Sequence, residues 1–314
     1  MADYDKLIAR YPAMSEFIRA QRAIRYRGEV LTYPQNVKAD SFSTDEAGFR
    51  HSTFRGNTFS VGDCLRSERY GVLLGASNNF GFGLAGNENT LASRLAERLG
   101  FPFANAALPG GNSRNLHSLL VAFFAKAPRR PAVVVHSSGG DLATFCNSSL
   151  ADPVFGSPNR AQRQGPLRER SLRADPERNV KHMLAFTTLW TGAIARLCRA
   201  NRVPLVLIHQ STFFEKSKPS ESERAMGLGQ PFRDWQEREF ANHRKFNQPF
   251  FDQRKKVAER LGVPLAGWGL TDRLTFLDEF HCDADGVAVL GEAIADAVEP
   301  LLEAEPIDAK AGRK

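Results

Sequence analysis

Apolar positions along the chain fall into two alternating rhythms. Short unbroken runs at 71–76 (GVLLGA), 103–108, 132–136 (AVVVH), 204–209 (PLVLIH) and 263–268 read as strands buried on both faces. Between them, apolar residues recur every three to four positions. Leu91, Leu95 and Leu99 mark a helix over 89–99, and Leu116, Leu119, Leu120 and Phe123 mark one that Ser113 can cap. Met183, Phe186, Trp190, Ile194 and Leu197 place a helix over 180–200. A long polar helix is expected over 234–261. A last helix, over 284–303, has Val287, Leu290, Ile294, Val298 and Leu301 facing inward and Asp283 as its N-cap.

Strand and helix in alternation imply a parallel sheet covered on both faces. The expected fold is therefore α/β: a three-layer α/β/α domain with a five-stranded, flavodoxin-like parallel sheet. In such sheets ligands bind beyond the carboxyl ends of the strands, where the strand order reverses. The alternation occupies 71–305. Residues 1–70 read as an N-terminal helix and an irregular β extension, and 306–314 as a disordered tail. Two polar insertions, 146–179 and 211–233, interrupt the pattern. Loops of that length in a compact domain are usually functional.

Composition narrows the class only slightly. Of 314 residues, 42% are hydrophobic and 25% charged, as in ordinary globular proteins. The net charge of +7 suits an anionic ligand but does not require one. The arginine-rich stretch 160–181 (Arg160, Arg163, Arg168, Arg170, Arg173, Arg178 and Lys181) could bind phosphate or carboxylate. It lacks interleaved aromatic residues, so no nucleic-acid partner is expected. Four scattered cysteines form no CxxC pair and read as free thiols in a reducing compartment. No apolar stretch approaches a membrane span, and the N-terminus carries no secretory h-region, so a cytoplasmic protein without a membrane partner is expected.

The chemistry-bearing residues cluster at predicted strand ends. Ser77 follows the first strand, Gly110 and Gly111 the second, Ser138–Gly139–Gly140–Asp141 the third, and His209 and Gln210 the fourth. Asp278 and His281 precede the last helix. A serine hydroxyl needs a neighbouring base to act as a nucleophile. Histidine is suited to that role, and an aspartate three residues before it can fix its tautomer and steady its imidazolium. The backbone N–H groups of Ser77 and Gly110 would open on one crevice and could hold an oxyanion. His136 is expected to be a core residue, Asp141 to fix a loop, and His117, His182 and His243 to serve surface or packing roles. No set of residues has metal-ligand spacing, so neither a metal nor another cofactor is expected.

Four segments in order, GASNNFG, NAALPGGNS, SSGGD and DEFH, resemble the blocks of the SGNH (GDSL-like) hydrolases, and TDEAGFR (44–50) resembles a segment found ahead of them. The resemblance implies an α/β/α hydrolase fold with Ser77 as nucleophile, His281 as base and Asp278 as its orienting carboxylate. It implies a serine esterase or deacylase that cleaves an O-acyl ester, on a carbohydrate or a small metabolite, through an acyl-enzyme. An acyltransferase using the same residues and a non-catalytic binding protein are the alternatives. Two positions depart from the family pattern. Ala76 stands in place of an aspartate. Gly140 stands in place of the third-block asparagine whose amide normally donates to the oxyanion. Asn78, Asn79, Asn112 and Ser138 are candidate replacements. Gly140, His209 and Gln210 are the expected substrate-binding positions.

Overall fold

The computed structural model describes residues 2–20, 23, 25–27, 30–146, 176–231 and 234–303. The chain opens with α1 (Ala2–Arg10), a 3₁₀ turn (Pro12–Met14) and α2 (Ser15–Ala20). Two antiparallel hairpins follow, β1 (Arg25–Arg27) with β2 (Val30–Thr32) and β3 (Ser52–Phe54) with β4 (Asn57–Phe59), and then α3 (Val61–Arg66). The central part runs β5 (Gly71–Leu74), α4 (Ser77–Phe80), α5 (Leu91–Leu99), β6 (Phe103–Asn105), α6 (Ser113–Lys126), β7 (Val133–Ser137) and α7 (Gly139–Cys146). It continues with α8 (Pro176–Ala200), β8 (Leu205–Ile208), α9 (Glu221–Ala225), α10 (Asp234–Leu261), β9 (Leu265–Ala266) and α11 (Ala284–Glu303).

Strands β5 to β9 form one sheet in the order β6-β5-β7-β8-β9, every pairing parallel. The strand order reverses at β5, so the crevice lies between the ends of β5 and β7. Side chains alternate between two cores, as the period of an extended chain requires. Leu73, Val133, Val135, Val206 and Ile208 pack with Leu91, Leu95, Ile294 and Val298 on one face. Val72, Leu74, Val134, Leu205 and Leu207 pack with Leu116, Leu120, Ile194 and Cys198 on the other. A third apolar cluster, with Phe145, Met183, Phe186, Phe246 and Phe250, joins α7, α8 and α10 beside the sheet.

The expected three-layer architecture is present, and the differences are local. Four of the five ladders are shorter than their apolar runs, and the third, Val133–Ser137, keeps its length one residue further along. Gly75–Ala76 and Ala106–Leu108 leave the sheet yet stay buried, because they turn into the crevice rather than into solvent. The cap of α6 is Asn112, not Ser113: Asn112 and Asn115 form a reciprocal capping box, and Ser113 is the first helical residue. Asp283 caps α11 as expected, accepting from Gly286 N–H at 2.8 Å.

The N-terminal residues share the main core, through Tyr11, Met14, Phe17, Tyr33 and Phe42. Their link to the crevice is Arg50, whose side chain is fully buried. Its guanidinium donates to the carbonyls of Gly81, Leu84 (2.8 Å) and Gly86 (2.8 Å), and its Nε to Asn87 Oδ1 (3.1 Å). Burial pushes its pKa down to about 9, against the opposing charge of Glu88. TDEAGFR thus contributes a clamp on the loop that leaves α4. In the 211–231 segment, Phe213 and Leu228 are buried in the same core. Residues 147–175 and 304–314, including most of the arginine-rich stretch and the expected tail, lie outside the described residues.

Candidate active site

Ser77 is the first residue of the single-turn helix α4, immediately beyond β5. Gly81 closes that turn at φ +84°, a conformation glycine adopts without strain. His281 Nε2 lies 2.7 Å from Ser77 Oγ, and His281 Nδ1 lies 2.8 Å from both oxygens of Asp278. The three-residue spacing is used locally as well: Asp278 Oδ1 accepts the backbone N–H groups of Phe280 and His281, each at 2.7 Å. The carboxylate therefore shapes the loop that carries the imidazole it orients. Glu279 anchors the same loop from below. Its carboxylate accepts Tyr11 O–H at 2.7 Å and Gly229 N–H at 2.9 Å. Burial, and the neighbouring Asp278, raise the pKa of Glu279.

The loop after β6 turns back toward Ser77. Leu108 N–H reaches Gly75 O at 2.8 Å, and Gly111 N–H closes a tight turn on Leu108 O at 2.7 Å. Gly110 sits in that turn at φ +73°. The next strand end is tied to it by Asp141 on α7. Asp141 accepts Ser113 N–H (2.7 Å), Ser113 O–H (2.8 Å) and Thr187 O–H (3.0 Å). Its burial raises its pKa to about 6, an effect these bonds only partly offset. Asp141 is thus a positioning group that joins α6, α7 and α8.

These elements line a cleft of about 120 Å³ that opens to solvent. Ser77, His281, Gly110, Gly140 and Gln210 line it together. His209 does not. Its ring turns to the far side of the β8 end, where it bonds Glu215 at 3.1 Å and packs edge-on against Phe251 and Trp268. It lines a separate hollow there. None of the four candidate replacements for the missing asparagine lines the cleft. Asn112 is spent as a helix cap. Asn79 packs against Gly75 with its Nδ2 buried and unpartnered. Asn78 and Ser138 are buried away from it.

The rest of the lining comes from positions to which the sequence pattern assigned no part in the site. Thr212, Glu239 and His243 line the cleft on the side of α10, and Phe280 lines it from the loop that carries His281. His243 is 1% exposed, with the Asn247 side chain beside its ring. It lies flat against Phe214 and close to Phe280. Burial lowers its pKa to about 3, against a small opposing pull from Asn247, so it is neutral. A signal for this wall did exist in the sequence. Gln236, Phe240, His243, Asn247, Phe251 and Arg254 recur every three to four residues along α10, and all six are buried. The four cysteines are free and buried, which leaves them no part in the cleft. No metal-competent group of ligands occurs among the described residues, and no described helix is long and apolar enough to cross a membrane.

No family model and no curated protein matches the chain. Solved structures similar to it include TesA (16% identity, TM-score 0.43, covering 74% of this chain and 99% of that one). Others are Est24, a carbohydrate acetylesterase from Sinorhizobium meliloti (16%, 0.46, 74% and 100%), and a GDSL-like lipase from Bacteroides thetaiotaomicron (13%, 0.42, 74% and 89%). All three likenesses have TM-scores below 0.5, and the functional reading draws on the residues of this chain.

Proposed function

We propose that the chain is a serine esterase of the SGNH type that cleaves a small O-acyl ester. The observation that carries this reading is the unbroken relay Ser77 Oγ–His281 Nε2, His281 Nδ1–Asp278 at 2.7–2.8 Å, opening on a cleft. In the first half-reaction Ser77 Oγ attacks the acyl carbon and its proton passes to His281 Nε2. The carbonyl π electrons move to oxygen, which the N–H groups of Ser77 and Gly110 face. Collapse expels the alcohol, protonated by His281, and leaves an acyl-Ser77 ester. In the second, His281 takes a proton from water, the hydroxide adds to the acyl carbon, and collapse releases the acid and restores Ser77. Asp278 holds the ring in place. The polar far wall of Thr212, Glu239 and His243 suits a hydroxyl-bearing alcohol portion, as in a carbohydrate or a small metabolite.

The test is hydrolysis of p-nitrophenyl acetate. Ser77→Ala is expected to lower kcat roughly 10⁴–10⁶-fold with an unchanged melting temperature. Equal activity in the variant would refute the assignment.

A further inference from the structure

The third-block position cannot carry an amide here. A Cβ built at Gly140 would overlap the Gly111 carbonyl oxygen, with Ala76 Cβ next at 3.3 Å. A Cβ at Gly139 would overlap the carboxamide of Gln210. The two glycines thus let the loop after β7 press against its neighbours, and the space beside it is filled by an amide that belongs to a different strand. Gln210 lies two residues beyond β8, which pairs directly with β7. Its position beside Ser137 and Gly139 follows from that pairing.

The polarity of this amide is set by its surroundings. Gly139 N–H donates to Ser137 Oγ at 3.4 Å, and Ser137 O–H donates to Gln210 Oε1. The carboxamide oxygen is therefore occupied. Nε2 carries two hydrogens and has no acceptor among the described residues, while the side chain lines the cleft with Ser77, Gly110 and His281. A neutral, oriented, unspent donor in the same cleft as a nucleophile is what a developing oxyanion needs, because no water has to be reorganised as the charge forms.

We propose that Gln210, through its Nε2–H, is the third oxyanion donor, delivered from the end of β8 in place of the asparagine that Gly140 excludes. The proposal rests on the reading of Ser77 as nucleophile. In the attack step above, the new oxyanion accepts from Ser77 N–H, Gly110 N–H and Gln210 Nε2–H, and no proton is transferred from the amide.

The experiment compares the parent with Gln210→Met, which keeps the bulk and loses the donor, and with Gln210→Glu, which keeps the shape and puts a carboxylate there. Readouts are kcat and KM on p-nitrophenyl acetate and the Ki of a boronic acid that forms a tetrahedral adduct on Ser77. The expected result is a kcat loss of about 10²–10³-fold in Gln210→Met with KM within threefold, and boronate binding weakened in parallel. Gln210→Glu is expected to be slower still, because its charge opposes the oxyanion. A merely structural role gives the reverse ranking, with the near-isosteric Glu variant closest to the parent. That ranking, or a kcat within threefold of the parent in both variants, overturns the proposal while leaving Ser77 as nucleophile. A parent that neither hydrolyses the ester nor binds the boronate overturns both readings.

Discussion

The two walls of the cleft differ in how their polar groups are partnered. On the wall formed by residues 278–281, the carboxylates of Asp278 and Glu279 and both nitrogens of His281 have protein partners within 2.9 Å. On the wall formed by α10 and the end of β8, Nε2 of Gln210 has no acceptor among the described residues, and the buried ring of His243 has only the Asn247 side chain acting on it. Leaving a buried polar group unpaired costs about 1–3 kcal/mol, so native structures keep few of them. On the proposed function, the difference divides the labour: the groups that would move protons for any ester are fixed in advance, and the Gln210 donor stays unspent until a substrate arrives.

Ser77→Ala breaks the fixed wall directly and has the largest expected effect, the kcat loss given above. Next comes the clamp that holds Ser77's loop. Arg50→Ala strands several buried carbonyls and is expected to cost about 3 kcal/mol or more, read as a lowered urea midpoint with unchanged m-value. An unchanged midpoint would mean that the N-terminal segment does not brace the site. Gly140→Ala probes the boundary between the walls. Its Cβ must push the Gly111 carbonyl aside, at an expected cost of about 1–3 kcal/mol in stability, and it should lower kcat by displacing Gly110. Full activity in that variant would show that the loop has room the structure does not give it.

His243→Gln sharpens the other wall and acts mainly through pH. His243 titrates near 6.5 when unfolded and near 3 when folded, so below pH 6.5 the unfolded chain binds the extra proton. Stability from this group is present above 6.5 and is lost as pH falls toward 3, at up to about 1.4 kcal/mol per pH unit. Asp141 works in the opposite sense between about 3.8 and 6, where the folded chain holds the extra proton. The informative quantity is therefore the difference between parent and variant. Urea midpoints measured from pH 7 to 4 should fall less steeply in His243→Gln than in the parent, and parallel curves would place His243 in contact with water.

The fixed wall was largely legible in the sequence and the open wall was not. Asp278 and His281 are three residues apart, and Ser77 follows an apolar run, so local spacing was enough to connect them. Gly110 was legible for the same reason. The far wall shows locally only as the recurrence from Gln236 to Arg254, and which of those positions meet the cleft depends on long-range contacts. His209 and Gln210 are adjacent at a strand end, and the pleat sends them to opposite sides, so one lines the cleft and the other packs under Trp268. The clash that excludes a side chain at Gly140 comes from Gly111, across two strands of the sheet. His243 read as a surface or packing residue because the helix that carries it is polar overall. Strand ends were overrun because buried loop residues are as apolar as the ladder they leave.

The central claim is that Ser77 is the activated nucleophile. Its most direct measurement is intact-protein and peptide mass spectrometry after exposure to a fluorophosphonate, comparing the parent with His281→Ala and Ser77→Ala. The expected result is one adduct on the Ser77 peptide in the parent, much slower labelling in His281→Ala and none in Ser77→Ala. An unlabelled parent, or an adduct that persists in Ser77→Ala, would contradict it.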